Sequence, residues 1–133
     1  MARIVIIEDD DDLRPLLAQM ILRLGHEVFA EPDGKAGLRR VQACSPDLVI
    51  TDMVMPEKEG VETILELRRD FPRVKIIAIS GGGRLSGANY LPMAKKLGAA
   101  AVLEKPFGRD ELKEAVDRLL GQPSSPDPPP AAA

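Results

Sequence analysis

The sequence is short of the residues that would open most functional classes. It holds one cysteine, Cys44, one histidine, His26, and one tyrosine, Tyr90. A single cysteine excludes an intramolecular disulfide and suits a reduced, cytoplasmic setting, with Cys44 on an amphipathic segment in an ordinary buried role. No apolar stretch approaches the ~20 residues of a membrane span. Met1-Ala2-Arg3, followed by four apolar residues and then acids, is too short for a signal peptide. Positive charge is not in excess: the net charge is -3, which argues against a nucleic-acid partner. There is no GxGxxG after the first apolar run and no GxxxxGK[ST] anywhere, so a nucleotide-binding α/β enzyme lacks its phosphate cradle. Asp52-Met53-Val54 also lacks the second aspartate of an Asp-x-Asp phosphatase.

What is present describes one domain. The 133 residues are 44% hydrophobic and 29% charged, ordinary globular values. Ile4-Val5-Ile6-Ile7 is a β-branched run that suits a strand buried on both faces. Glu27–Ala30, Asp47–Thr51, Val74–Ile79 and Ala100–Leu103 read as four more strands. Leu13, Leu16, Leu17, Met20, Ile21 and Leu24 recur at helical spacing. Pro15 is tolerable in that helix because it lies in the first turn, and Gly25 is placed to end it. Gly34–Cys44, Val61–Asp70, Ala88–Leu97 (with Gly98 as its stop) and Arg109–Leu120 are the other helices. Alternation of this kind predicts an α/β fold with a parallel sheet and helices on both faces. The domain spans 1–121. Residues 122–133 hold five prolines and end in three alanines, and are expected to be a disordered tail.

Ligands of open parallel sheets sit beyond the carboxyl ends of the strands. Glu8, Asp9, Asp10, Asp11 and Asp12 follow the first strand, Asp52 the third, Ser80 and three glycines the fourth, and Glu104-Lys105-Pro106 the fifth. The second strand offers little, as expected at a sheet edge. Carboxylates gathered this closely repel one another, and a hard divalent cation relieves that repulsion; Mg²⁺ suits oxygen ligands and retained waters. Asp9 and Asp52 are the best direct ligands, with Glu8 acting through water. Asp52 can also be a nucleophile that forms an acyl phosphate. Phosphoryl transfer asks mainly for positioning and charge neutralisation, which the cation, the Lys105 ammonium and the Ser80 hydroxyl could supply. The Lys105–Pro106 step suggests a fixed backbone, with a cis bond as one means of aiming Lys105 inward. Other polar residues have plainer readings. Asp10 to Asp12 read as a solvated loop in which Asp11 or Asp12 caps the first helix. His26 reads as a turn residue, Gly81–Gly83 as a permissive loop, and Lys95-Lys96 as a solvated face.

Taken together, Ile-Val-Ile-Ile-Glu8-Asp9-Asp10, Asp47-Leu-Val-Ile-Thr-Asp52-Met-Val54-Met-Pro56 with Gly60, Ser80, and Lys105-Pro106-Phe107 resemble bacterial response-regulator receiver domains over about Arg3 to Leu120. Five weak motifs in the right order make a specific match, close to single-domain, chemotaxis-type regulators. The resemblance implies a flavodoxin-like sheet of strand order 2-1-3-4-5. It implies phosphorylation of Asp52 by a sensor histidine kinase or histidine phosphotransfer protein, and Mg²⁺ held by Glu8, Asp9, Asp52 and the Val54 backbone carbonyl. Ser80 and Lys105 would bind the phosphoryl group. Such a domain is not an enzyme with turnover; it catalyses only its own phosphorylation and slow dephosphorylation.

This chain departs from the family at two places. The aromatic residue usually found three positions before the lysine is Val102, so the usual hydroxyl–aromatic switch is altered; Tyr90 is the one tyrosine that could replace it. The stretch from Ser80 to Gly98 is longer than usual and rich in glycine. In the family, the residues two past the phosphoacceptor and two past the hydroxyl influence hydrolysis. Here they are Val54 and Gly82, neither of which can orient water, so slow self-dephosphorylation is expected. No effector domain is expected after Leu120. Output then falls to an unknown protein target, expected at the face of the fourth predicted helix, fifth strand and fifth helix, or to onward phosphotransfer, with a monomer or a weak dimer on phosphorylation. The alternative is a degenerate receiver that binds partners without phosphorylation.

Overall fold

Ile4, Val5, Ile6 and Ile7 are all fully buried. The strand they form, β1 (Arg3–Ile7), lies inside a sheet covered on both faces. The computed structural model describes residues 2–53, 59–80 and 95–121, and for residues 59, 60 and 80 the backbone alone. β1 pairs in parallel with β2 (Glu27–Glu31) on one side and β3 (Leu48–Asp52) on the other. β4 (Lys75–Ser80) and β5 (Ala101–Glu104) continue the parallel sheet, giving the order β2-β1-β3-β4-β5.

Alternation along β1 divides the core in two, since successive strand side chains point to opposite faces. Ile4 and Ile6 pack with Leu17 and Ile21 of α1 (Leu13–Arg23) and with Leu112, Val116 and Leu119 of the C-terminal helix (Arg109–Leu120). Val5 and Ile7 pack with Val41 of α2 (Gly34–Cys44) and with Ile64 and Leu67 of α3 (Glu59–Asp70). Gly37 brings α2 against β1, and a Cβ there would collide with the Ile7 side chain. β2 sits at the sheet edge, and all five of its residues are only half-buried.

Several boundaries differ from expectation by one or two residues. β2, β3, β4 and β5 each run one residue further, to Glu31, Asp52, Ser80 and Glu104. The ladder sets these ends: Asp52 stands opposite Ile79, and Ser80 opposite Glu104. α3 begins at Glu59 rather than Val61. Of the predicted helix Ala88–Leu97, residues 95–97 are described and helical; the rest lies outside the described residues, as does the predicted tail 122–133. Gly25 and Gly98 follow their helices at φ of +93° and +114°, the left-handed conformation that glycine adopts without steric cost.

The cap of α1 is a correction in part. Asp12 occupies the N-cap position, as expected, but makes no side-chain cap bond. Asp10 Oδ1 accepts instead from the backbone N–H of Asp12 at 2.8 Å and of Leu13 at 3.1 Å. The Asp10 carbonyl already accepts from Arg14 N at 2.9 Å, so its carboxylate is the one within reach of the next free donors. Those donors hold the Asp10 carboxyl below its ordinary range. Among the described residues, no helix is long and apolar enough to cross a membrane.

Candidate functional site

Parallel strands deliver their C-terminal residues to one rim, and the ionisable residues there come from three separated segments. Glu8 leaves β1, Asp52 ends β3, and Lys105 follows β5. Lys105 Nζ lies 3.0 Å from Asp52 Oδ2 and 3.5 Å from Glu8 Oε1. Carboxylate oxygens of Glu8, Asp9 and Asp52 lie within 4.8 Å of one another. Glu8 is 0% exposed and Asp52 2%, whereas Asp9 is exposed. The site is therefore a buried floor with one open side, where Asp9 meets solvent.

The electrostatics follow from that burial. Glu8 Oε2 accepts from Asp10 N at 3.1 Å, while Glu8 Oε1 is buried without a hydrogen bond. Burial first, and the nearby Asp52 charge second, push the Glu8 carboxyl from 4.5 up to about 8, against the bond from Asp10 and the Lys105 charge. Burial pulls the Lys105 ammonium down, but its bond to Asp52 and the attraction of Asp52 and Glu8 outweigh this and hold it above its ordinary value. Three carboxyl groups thus face one ammonium, and Glu8 Oε1 has only its 3.5 Å ion-pair contact with Lys105 and no hydrogen bond. An all-oxygen donor set with surplus negative charge and an open side fits a hard divalent cation such as Mg²⁺.

The remaining predicted residues fall as follows. Ser80 ends β4 beside Glu104 of β5, which puts its backbone at the same rim. The Ser80 side chain, Val54 with its carbonyl, Gly81, Gly82 and Tyr90 lie outside what is described. Val102, at the position of the usual aromatic, is partly buried against the core on the α2–α3 side. The Lys105–Pro106 bond is cis. His26 is away from the rim: it precedes β2, and its Nδ1 accepts from Ala2 N at 3.1 Å, a local structural role. Lys95 and Lys96 are exposed.

One residue of this region was not singled out from the sequence. Arg14, in the first turn of α1, donates from Nη1 to the Glu8 carbonyl at 2.9 Å and from Nη2 to Asp11 Oδ1 at 2.7 Å. The three-residue spacing from Asp11 was the available signal, but the bond to the Glu8 carbonyl leaves no pattern of residue types.

The response regulator receiver domain family matches residues 4–117. This chain belongs to that family. The receiver domain is 36% identical over 132 residues to the DNA-binding transcriptional regulator NtrC of Azospirillum brasilense, covering 99% of this chain and 27% of that protein. It is 30% identical over 118 residues to the chemotaxis protein CheY of Thermotoga maritima, covering 88% of this chain and 96% of that one. It therefore spans about a quarter of the first relative and nearly all of the second. Its fold is also similar to the crystal structure of a response regulator receiver domain protein from Clostridium thermocellum, with a TM-score of 0.82, 28% identity, and coverage of 91% of this chain and 95% of that chain.

Proposed function

We propose that this receiver domain accepts a phosphoryl group on Asp52 from a phosphohistidine of a sensor histidine kinase or histidine phosphotransfer protein. The observation that supports this reading is the Asp52 carboxylate itself: buried at a strand end, 3.0 Å from Lys105 Nζ, and within 4.8 Å of two further carboxylates. An Asp52 oxygen attacks the phosphorus, the P–N bond to the imidazole breaks, and its electron pair returns to the ring nitrogen. The product is an acyl phosphate. Lys105 draws negative charge from the equatorial oxygens as it exchanges the carboxylate for the phosphoryl group. Glu8, Asp9 and Asp52 would hold Mg²⁺ with the Val54 carbonyl that the family resemblance adds, and the ion when bound would neutralise charge on a further phosphoryl oxygen. The same resemblance gives the Ser80 hydroxyl the role of a donor.

A surface for the phosphodonor protein adjoins the site. Leu13, Leu16 and Met20 of α1 face Pro106 and Phe107 across a mainly apolar cavity of about 410 Å³, which Lys105 also lines. Leu16 is 52% exposed. A helical donor laid along this groove would bring its histidine to the open side of the rim.

In this reading the domain's chemistry is confined to gaining and slowly losing its own phosphoryl group. It works in the cytoplasm and signals by binding a protein target or by passing the group onward. Incubation with phosphoramidate, a small P–N donor, tests the reading. Intact-mass spectrometry should show one added phosphoryl group with Mg²⁺ and none in Asp52→Ala. An unmodified wild-type mass at saturating donor and Mg²⁺ would contradict it.

A further inference from the structure

We propose that Arg14 is a positioning residue for the cation site, one that fixes the peptide unit joining Glu8 to Asp9 and so aims both carboxylates; this rests on the phosphoacceptor reading above. The Glu8 N–H donates to Glu31 O at 3.0 Å, extending the β1–β2 ladder one step past β1. The Glu8 carbonyl turns away to accept from Arg14 Nη1 at 2.9 Å. Arg14 N donates to the Asp10 carbonyl at 2.9 Å, and Asp10 N returns to Glu8 Oε2 at 3.1 Å. Residues 8–14 thus form a closed set of bonds with the Arg14 guanidinium at its centre. The side chain is mostly covered, at 21% exposure.

Asp9 shows what this set of bonds accomplishes. Its carboxylate is exposed, and no described residue bonds to it. Its place beside Glu8 and Asp52 is therefore set by the backbone, and that backbone is the peptide whose carbonyl Arg14 holds. A change in the Glu8 ψ angle without a compensating change in the Asp9 φ angle would swing Asp9 relative to Glu8 and separate the carboxylates before a cation could join them. The second Arg14 contact, to the 87% exposed Asp11, is a surface pair that contributes little by itself. The bond to the buried carbonyl carries the role. A planar guanidinium makes both bonds at once, which a lysine ammonium on a flexible stem does poorly.

Calorimetric Mg²⁺ titration of the full chain, with amide hydrogen exchange of the metal-free protein, tests this. Arg14→Ala should raise the Mg²⁺ Kd roughly 10-fold, the scale found for residues that orient metal ligands. Arg14→Lys should fall between, and Asp11→Ala should match wild type. In metal-free Arg14→Ala, the Asp10 amide should exchange faster while β3 and β4 amides keep wild-type protection, a local effect that general loss of stability would not give. Unchanged Kd and unchanged Asp10 protection in Arg14→Ala would overturn the proposal. Should Arg14→Ala fail to fold, Arg14→Lys decides, and a wild-type Kd in that variant would overturn it equally. Absence of Mg²⁺ binding by the wild type would refute the cation site itself, whereas normal wild-type binding with indifferent Arg14 variants refutes only the role of Arg14.

Discussion

Lys105 Nζ sits 3.0 Å from Asp52 Oδ2 across 53 residues of sequence. The contact joins the end of β5 to the end of β3 and passes over the end of β4 between them. It ties the ammonium that follows β5 to the proposed phosphoacceptor.

Lys105→Met should therefore affect chemistry more than folding. The ammonium is partly solvated, at 26% exposure, so its loss leaves two buried carboxylates that can still share a cation or take a proton. Phosphorylation by phosphoramidate at saturating Mg²⁺ should slow roughly 100-fold, the scale of losing one donor aimed at developing charge. A time course of intact mass checks this.

Glu8 gives the protein a pH dependence with a definite sign. Its folded value of about 8 lies above its ordinary 4.5. A carboxyl raised in this way contributes its full stability below 4.5 and loses it as pH rises towards 8. The metal-free melting temperature should accordingly carry a falling component across that window. Mg²⁺ should raise the melting temperature more at pH 8 than at pH 5.5, since a cation competes with the proton. Mg²⁺ binding at pH 7 should release a proton, read as a dependence of calorimetric heat on buffer ionisation enthalpy. Glu8→Gln should remove both the falling component and the proton release.

Leu16 separates docking from chemistry. Leu16→Asp places a charge in the apolar groove beside Lys105 without touching the carboxylates. Phosphotransfer from a phosphorylated histidine protein should weaken about 10-fold or more, as expected for spoiling an interface anchor. Labelling by phosphoramidate should stay at the wild-type rate. Equal losses with both donors would place Leu16 in the fold rather than in docking.

Much of this was legible because burial writes itself into periodicity. The unbroken apolar run of β1 called for a strand covered on both faces, and every residue of Ile4–Ile7 is buried. Strand ends were harder. Asp52, Ser80 and Glu104 look like loop residues by type, yet the ladder holds them, since backbone pairing is indifferent to the polarity of the side chain. Four consecutive aspartates, Asp9 to Asp12, gave no local means of choosing which side chain meets the first N–H groups of α1; Asp10 does so. Gathering of Glu8, Asp9, Asp52 and Lys105 was foreseeable from the rule that parallel strands end at one rim. Arg14 was not, because its partner is a carbonyl, which every residue has.

If Asp52 is the phosphoacceptor, as proposed, Val54 and Gly82 should bear on how long the signal lasts. Neither side chain can hold a water for attack on an acyl phosphate. Polar residues at both positions, as in Val54→Asn with Gly82→Gln, should shorten the lifetime of the phosphorylated protein roughly 10-fold, less than the ~100-fold or more of a general base, because an amide orients the water without taking its proton. Loss of the added mass over time after donor removal measures it.

The most direct measurement is chemical mapping of the acylated side chain. Phosphoramidate-treated protein is reduced with tritiated borohydride, which converts an acyl phosphate to a labelled alcohol, and the label is located by peptide sequencing. All label at position 52, and only when Mg²⁺ was present, is the predicted result; label at Asp9 or Glu8 instead, or none at any carboxylate, would contradict the account.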